Sequence, residues 1–204
     1  MKKFLVAAAL GVPLMASAQL VNGGFGTGTF AGWTTVFVGA TEPTTVLTYG
    51  VGAAFGETVV APVGGGTFGA YFIEDVAPQS ISQIFAPSAG AGLYNWGFQY
   101  YLPFNGFANP NDTAFSVMLG GSSIFAGTLS ALGAPGVWHS VSGTAALLGV
   151  PTTFSVTFDG TTKPAKDLIF DNAFVTVVPE PENYALMLAG LAAVTFVARR
   201  RSKT

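Results

Sequence analysis

Side chains capable of acid–base or metal chemistry are scarce in this sequence. It contains a single histidine, His139, and no cysteine. It shows none of the GxSxG, HExxH or phosphate-binding loop patterns. Catalysis or metal binding at His139 would require partners that converge on it, and none is recognisable in the sequence. We therefore expect His139, which follows Trp138 in a predicted strand, to be a surface or half-buried strand residue.

The one pair of adjacent acidic residues is Glu74 and Asp75. Neighbours in an extended strand point to opposite faces of a sheet, so this pair is poorly placed to share a substrate. Carboxylates for glycoside hydrolysis, which stand ~5–10 Å apart, could still come from distant strands, for example Glu57 with Glu74 or Asp75. Such a pair cannot be recognised from one sequence, and we expect a protein that catalyses no reaction.

An aromatic segment at 94–101 and the loop after it combine rings with amide side chains. In a strand, the even-numbered positions of this segment place four aromatic rings on one face. We interpret that face as core, because large rings bury ~150–250 Å² each. The other face suits a neutral sugar, since amides bond hydroxyls while a ring packs on the C–H face, and loops commonly carry binding residues. The candidate glycan-binding residues are Asn95, Gln99, Tyr101, Asn105, Asn109, Asn111 and Asp112.

The elements that must position these residues are short segments of strand-favouring residues, separated by residues typical of turns. Glycine-rich breakers such as 64–66 and 120–121 separate the runs, and no convincing amphipathic helix interrupts them. Many short strands at near-regular spacing predict an antiparallel sandwich or barrel formed as one unit. The run at 154–158 alternates strictly, so one of its faces is buried. The candidate strands are 34–38, 44–49, 57–61, 67–74, 80–86, 93–102, 114–119, 137–144, 153–158 and 168–177.

Charge is distributed unevenly along the chain. Six of the eight basic residues lie at the termini, so residues 19–178 keep only Lys163 and Lys166 against eight acidic residues, a net charge of 2 − 8 = −6. Such a domain cannot neutralise a phosphate backbone, which excludes nucleic acid as a partner. Anionic polysaccharide would be repelled unless a divalent cation bridged the two, whereas neutral glycans are compatible. Without cysteine, stability must come from packing.

The N-terminus has the three parts of a secretory signal peptide. Lys2 and Lys3 precede an apolar run at 4–14, and a small-x-small site with Ala16 and Ala18 follows. This order predicts cleavage after Ala18. The alternative is an N-terminal membrane anchor, for which the apolar run is short.

The C-terminus joins an apolar run at 184–198 to a basic end. As a helix the run would extend roughly 22 Å, less than a ~30 Å hydrocarbon core, so it predicts a marginal membrane span. Positive charge beside a membrane helix stays cytoplasmic, which predicts that the globular part lies on the opposite side. The basic residues are Arg199, Arg200, Arg201 and Lys203.

Pro179-Glu180-Pro181, the short apolar helix and the basic cluster together resemble a PEP-CTERM sorting signal. The resemblance covers about the last 26 residues. It implies processing near these three residues by an exosortase of a Gram-negative, polysaccharide-producing bacterium. The protein would pass through the inner membrane, be held there transiently, and reach the cell surface or an exopolysaccharide (biofilm) matrix. The alternative is an ordinary tail anchor with a proline-rich linker.

Five short motifs are spread through the central domain: VNGGF (21–25), FAGW (30–33), ISQIF (81–85), WHSVSGT (138–144) and FDNAFV (170–175). Together they resemble galactose-binding-like jelly rolls and related carbohydrate-binding modules. The resemblance implies that the first two motifs belong to the opening of that fold and that the later motifs form its central and final strands.

The second resemblance also implies a structural calcium ion between the first and last strands. Calcium takes six to eight oxygen ligands, several of them carboxylates. The corresponding positions here are Asp171 and Asn172, but Gly26 stands where the family usually has an acid. One carboxylate is therefore missing. The alternative is that Asp171 and Asn172 hydrogen-bond a neighbouring turn.

These observations predict an all-β protein in three parts. An N-terminal signal helix covers 1–18, an antiparallel β-sandwich of jelly-roll type covers 19–178, and a sorting segment with a short transmembrane helix covers 179–204. We expect a non-enzymatic surface or matrix protein that binds neutral carbohydrate, with an exosortase and exopolysaccharide as partners. The alternative is a structural or adhesive matrix protein that self-associates and has no sugar site.

Overall fold

The computed structural model describes residues 19–179 and 181–201 of the chain. These residues form twelve strands, two short helical turns and one longer helix. The strands are β1 (Thr34–Val36), β2 (Thr45–Thr48), β3 (Gly50–Ala54), β4 (Glu57–Val59), β5 (Phe68–Phe72), β6 (Ala77–Phe85), β7 (Ala91–Tyr101), β8 (Ala114–Leu119), β9 (Ser122–Thr128), β10 (Trp138–Leu148), β11 (Thr152–Gly160) and β12 (Leu168–Val177). The helices are α1 (Phe104–Phe107), a 3₁₀ turn (Leu129–Ala131) and α2 (Pro181–Arg201).

Ten of the strands build two five-stranded antiparallel sheets. Sheet A has the order β1-β6-β11-β8-β9, sheet B has the order β10-β7-β12-β5-β2, and β3 with β4 forms a separate hairpin. In sheet B, β7 and β10 pair without a shift from Trp138 opposite Tyr101 to Leu148 opposite Ala91. This arrangement confirms the predicted antiparallel sandwich.

The strictly alternating segment predicted a half-buried strand, and β11 is one. Its side chains Phe154, Val156 and Phe158 are fully buried, while Ser155 and Thr157 are partly exposed. Because strand side chains alternate, one face of β11 meets the core and the other stays at the surface.

Aromatic rings from both sheets meet around Phe98 of β7. Its ring centroid lies 5.4 Å from those of Phe125 and Phe170 and 6.3 Å from that of Phe115. The other even-numbered rings of β7 belong to the same buried cluster. The interpretation of this face as core is therefore confirmed, and edge-to-face contacts of this kind add to the hydrophobic gain.

Gln83 of β6 fastens the N-terminal segment to sheet A. Its side-chain oxygen accepts a hydrogen bond from the N–H of Val21 (2.6 Å). Its nitrogen donates to the carbonyls of Val21 (3.0 Å) and Gly32 (2.7 Å). The segment held in this way contributes Phe25 and Trp33 to the core, with ring centroids 5.7 Å apart. The opening motif and the central glutamine thus act as one structural unit.

The sequence pattern did not predict two of the strands, β3 and β9. β3 reads Gly-Val-Gly-Ala-Ala, with Gly50 and Gly52 at positive φ, so it lacks the β-branched enrichment that marks a strand. β9 follows β8 through Gly120 and Gly121, both at positive φ, in a tight hairpin connection. Its mixed small and apolar residues do not alternate in character. Several expected strands are also shorter than the pattern indicates, as in β1.

α2 lies outside the compact unit formed by Ala18–Val177. The helix contains the whole of the predicted apolar run at 184–198, begins at Pro181 and ends at Arg201. Among the described residues, no helix combines the length and the apolar character that a bilayer crossing requires. The predicted signal segment 1–18, with its cleavage site, and Glu180 lie outside the described residues.

Replacing Gln83 with alanine is expected to lower the free energy of unfolding by about 1–3 kcal/mol, because partly buried backbone groups lose their hydrogen-bond partner. Chemical denaturation measures the change. The matched control is Ile84→Ala at the next position, whose side chain is 71% exposed, so its effect should stay within about 0.5 kcal/mol. Equal effects of the two substitutions would contradict the role given to Gln83.

Candidate binding site

The β3–β4 hairpin lies over part of the outer face of sheet B, the face directed away from sheet A. Tyr71, Tyr101 and Ile169 of sheet B form an apolar cluster there with Ala54 and Val59 of the hairpin. Tyr101 was a candidate for stacking on a sugar, but its side chain is only 6% exposed. Its ring therefore supports the hairpin and offers no free face to a ligand.

Glu57 of the hairpin is hydrogen-bonded to the end of β7 and to the segment after it, and we call these bonds the Glu57 latch. Its carboxylate accepts hydrogen bonds from the hydroxyl of Tyr101 (2.9 Å) and the N–H of Asn105 (3.2 Å). The Asn105 amide in turn donates to the carbonyl of Phe55 (3.1 Å). Burial and the bond to Glu57 raise the pKa of Tyr101 to about 12. The Phe55 side chain remains 65% exposed at the tip of the hairpin.

A pocket of about 280 Å³ opens beside this latch. Phe55 and Ile73 supply its apolar surface. Two of its polar lining residues, Asn105 and Asn109, are predicted glycan-binding residues, and Asp75 was considered only as a carboxylate for hydrolysis. No sequence pattern identified Glu42, Lys163 and Asp167, which come from distant parts of the chain. The polar lining residues are Glu42, Asp75, Asn105, Asn109, Lys163 and Asp167.

Two loops are bonded to each other to form one wall of the pocket. The Asn109 amide donates to the carbonyl of Ala165, and the N–H of Ala165 donates to a carboxylate oxygen of Asp75 (2.6 Å). The Lys166 ammonium donates to the carbonyls of Phe107 and Asn109 and lies 4.5 Å from the centre of the Phe107 ring. Lys166 therefore holds α1 against the loop that contains Ala165.

Asp167 is the carboxyl group of the pocket whose pKa is raised. Asp167 is 4% exposed and accepts a hydrogen bond from the hydroxyl of Tyr71 (2.9 Å). Burial raises the pKa of Asp167 to about 7; the charges of Asp75 and Glu42 add to the rise, and the bond from Tyr71 opposes it. Lys163 lies 4.0 Å from Asp75 as the cation of the pocket. The site thus offers carboxylate acceptors together with one acid that titrates near neutral pH.

The remaining loop candidates do not line this pocket. Asn111 donates its amide to the carbonyl of Pro164 (3.1 Å). Asp112 accepts hydrogen bonds from the N–H groups of Thr113 and Ser130, both at 3.0 Å. Burial alone would raise the pKa of Asp112, but the hydrogen bonds lower it. These two side chains hold neighbouring loops together.

The strand candidates Asn95 and Gln99 lie on the open part of the outer face. Asn95 is exposed, and Gln99 bonds both the Ser140 hydroxyl (3.0 Å) and the amide of Asn172. They form a polar surface separate from the pocket lining.

His139 and Glu74 both have structural partners. The His139 ring stacks on Tyr100 at 4.9 Å between centroids, and its Nε2 lies 2.9 Å from the carbonyl of Ala134. This half-buried position in β10 is the one expected. Glu74 is fully buried and accepts hydrogen bonds from the N–H groups of Glu42 (2.7 Å) and Val76 (2.8 Å). Of the carboxylates considered for hydrolysis, only Asp75 lines the pocket.

The residues considered for calcium are bonded within the protein. One oxygen of Asp171 accepts from the hydroxyl of Tyr49 (2.7 Å) and the other from the N–H of Asn172 (2.6 Å). Burial raises the pKa of Asp171 to about 6. Gly26 brings no side chain, and the described part of the chain contains no group of three or more acidic or histidine side chains placed so that they could hold a metal ion. Asp171 and Asn172 are thus bonded to the Tyr49 hydroxyl and the Gln99 side chain instead of to a neighbouring turn, and with Gly26 in place of an acid they do not fit the implied calcium site.

Comparison with solved structures places this architecture among known folds. TmCBM61, solved in complex with β-1,4-galactotriose, superposes with a TM-score of 0.55 at 16% identity, covering 80% of this chain and 100% of that chain. The chain shares the β-sandwich fold of a carbohydrate-binding module. At this identity the likeness shows the fold alone.

Other proteins with this fold are described as enzymes. A Stig cyclase from Fischerella sp. TAU gives a TM-score of 0.57 at 16% identity, over 81% of this chain and 99% of that chain. The enzymatically active domain of tailspike protein 4 of bacteriophage CBA120 gives 0.53 at 10% identity, over 79% of this chain but only 21% of that chain. No protein-family model matches the sequence, and no curated protein matches it significantly.

The raised pKa of Asp167 predicts that stability falls as pH rises. Its ordinary value is 3.8, so between about pH 4 and pH 7 the folded state binds a proton that the unfolded state has released. Stability is therefore greatest below this window and is lost through it. Asp167→Asn should reduce the drop in Tm between pH 5 and pH 8 by roughly 5–10 °C. A pKa near 7 changes stability by ~3 kcal/mol over the two pH units from 5 to 7, and each kcal/mol shifts Tm by about 2–4 °C at this size.

Thermal unfolding followed by circular dichroism at both pH values measures this drop. The control is Asp112→Asn, which removes a carboxyl whose pKa is lowered and should leave the drop undiminished. An unchanged drop in Asp167→Asn would show that this carboxyl is ionised in the folded protein at neutral pH.

Proposed function

We propose that the domain binds neutral carbohydrate in the pocket beside the Glu57 latch and catalyses no reaction. The observation that carries this proposal is the combination of oxygen acceptors and one exposed ring around a single concavity. Asn105, Asn109, Asp75 and Asp167 provide the polar groups, and Phe55 provides the ring. Ligand sites are concave and combine apolar surface with a few placed polar groups.

The chemistry of the lining favours a hydroxyl-rich, uncharged ligand. Sugar hydroxyls donate to carboxylate and amide oxygens, and hydrogen bonds to ionised acceptors are the stronger ones. The exposed Phe55 ring can pack against the C–H face of a sugar. Glu42, Asp75 and Asp167 outnumber Lys163, so an anionic polymer is disfavoured. The pocket volume of about 280 Å³ is just below the ~300–1,000 Å³ typical of pockets for drug-sized ligands, and it fits a single sugar residue of a chain.

Delivery to the cell surface or an exopolysaccharide matrix is the second part of the proposal. It rests on the sequence, in which a signal-peptide pattern precedes the domain and Pro179-Glu180-Pro181 precedes an apolar run and arginines. An exosortase-type enzyme would cut near Pro181 after the apolar segment has held the protein temporarily at the inner membrane, with the basic tail cytoplasmic. A glycan-binding domain released in this way would meet exopolysaccharide directly.

Acid–base chemistry is the second candidate function. The specific observation in its favour is that Asp167, with a pKa near 7, shares the pocket with Glu42 and Asp75. A protonated acid beside a carboxylate is the arrangement that glycoside hydrolysis uses. However, Asp75 is bonded to Ala165 and Asp167 to Tyr71, which gives both carboxyl groups a structural role. Release of reducing ends from a polysaccharide would establish hydrolysis.

Affinity electrophoresis of the full chain tests the glycan site. Gels containing neutral β-1,4-galactan should retard the wild-type protein, and Phe55→Ala should weaken retardation about tenfold in Kd, since removing a packed ring costs on the order of 1.4 kcal/mol or more. Val63→Ala, an exposed apolar control at 94% exposure, should migrate like wild type. The proposal fails if none of the neutral galactan, xylan and glucan tested retards the wild-type protein. It also fails if Phe55→Ala and Val63→Ala are retarded equally.

Processing is tested in a polysaccharide-producing Gram-negative host that encodes an exosortase. The wild-type chain with a C-terminal tag should lose the tag, whereas alanine at Pro179, Glu180 and Pro181 should leave it attached. Pro151→Ala, within the domain, is the control for substitution of proline. Tag loss that is equal in all three proteins would contradict sorting through the Pro-Glu-Pro motif.

A further inference from the structure

β10 is an edge strand of sheet B, and its backbone N–H and C=O groups that point away from β7 are available for hydrogen bonds to another strand. It bonds β7 over all eleven residues without a register shift. Among the described residues, no other backbone–backbone hydrogen bond involves Trp138–Leu148. One side of this strand therefore presents a row of N–H and C=O groups, which is a template for another strand.

The other sheet edges are protected in ways that β10 is not. β1 has three residues and β2 has four, while β9 has seven and a register shift near its partner Met118. Short edges and bulges limit edge-to-edge pairing, as do lysine and proline. β10 has eleven residues with no acidic residue, lysine, arginine or proline. In a domain of net charge −6 it is a long edge free of like-charge repulsion.

We propose that β10 pairs with β10 of a second copy of this chain, antiparallel about a two-fold axis at Gly143. The strand sequence Trp-His-Ser-Val-Ser-Gly-Thr-Ala-Ala-Leu-Leu is self-complementary in this register. On the outer face Ser142 faces Thr144 of the second copy, and Trp138 faces Leu148. Hydroxyl pairs and apolar pairs directly opposite each other stabilise antiparallel strands.

The symmetric register favours a second copy over an unrelated strand. An isologous interface needs one self-complementary surface, and β10 supplies it from its own sequence. Leu148, which is 82% exposed, would lie directly opposite Trp138 of the second copy. The two B sheets would become one ten-stranded sheet whose outer faces, and therefore both pockets, lie on the same side. Two sites on one side would raise avidity for a polymer, but the pairing itself does not depend on a glycan.

Cysteine cross-linking tests this register, because the chain contains no cysteine of its own. Full-length Ser142→Cys and Thr144→Cys chains are purified separately, mixed under mild oxidation and analysed on non-reducing gels. Position 142 lies opposite position 144 of the second copy, within the Cα distance a disulfide spans, whereas 142 lies diagonal to 142 and ~7–8 Å away. Disulfide-linked dimers should therefore form several times more abundantly in the mixture than with either variant alone.

The matched control is Ser122→Cys, at the first residue of β9, mixed with Thr144→Cys. The amount of disulfide-linked dimer in this mixture measures cross-linking by random collision. Equal cross-linking in all mixtures would overturn the proposal. So would pairing of each variant with itself alone, since that indicates a different register or occupant.

Sedimentation equilibrium provides a measurement without oxidation. The double substitution Ser142→Lys with Thr144→Lys should reduce the mass of the full chain to that of a monomer, while Ser122→Lys keeps the wild-type mass. Circular dichroism verifies that the variants are folded. A wild-type mass that is monomeric, or unchanged by the lysines at 142 and 144, would overturn the pairing.

Discussion

The two sheets are held together by aromatic rings that meet around Phe98, and the rest of the domain is built outward from that contact. The chain contains no cysteine, so no disulfide shares this task and packing must supply the stability. Rings from β7 and β12 of sheet B interlock with Phe115 of β8 and Phe125 of β9 in sheet A. This packing fixes the inner face of sheet B and directs the alternate residues of β7 and β12 outward. The outer face, where the hairpin and the pocket lie, follows from the same alternation.

Buried and partly buried polar side chains hold the surrounding segments on that scaffold. Gln83 holds the N-terminal segment, Glu57 holds the hairpin, and Lys166 holds α1. Each is hydrogen-bonded to several backbone or hydroxyl groups, which satisfies polar groups that would otherwise lack a partner. Burial raises the pKa of Asp167, in the pocket lining, to about 7. The hairpin and α1 meet at the pocket, which Phe55 and Gly106 line, and we propose its polar lining as the site of a hydroxyl-rich ligand.

The pattern of short strands in the sequence was sufficient to predict the sandwich and the buried face of β7. Alternate side chains of a strand point to opposite faces, so the alternation of residue types indicates which face is buried. The pattern was insufficient for β3, whose glycines and alanines carry no alternation. The lining of the candidate pocket was only partly predictable for a related reason. Asn105 and Asn109 lie in one loop and could be recognised together, but Asp75 and Asp167 reach the pocket through long-range loop contacts that leave no local signal. Tyr101 was misjudged because nothing in the sequence indicates that the hairpin covers it.

Hydrogen–deuterium exchange of the full chain, with and without a β-1,4-linked galactooligosaccharide, tests the proposed pocket most directly. If the sugar binds there, peptides that contain Phe55, Asn105–Asn109 and 163–167 should exchange more slowly with the ligand present. Peptides of β11, on the opposite sheet, should exchange at the same rate in both samples. Protection confined to the open part of the outer face around Gln99, or protection nowhere, would contradict the assignment of the pocket as the glycan site.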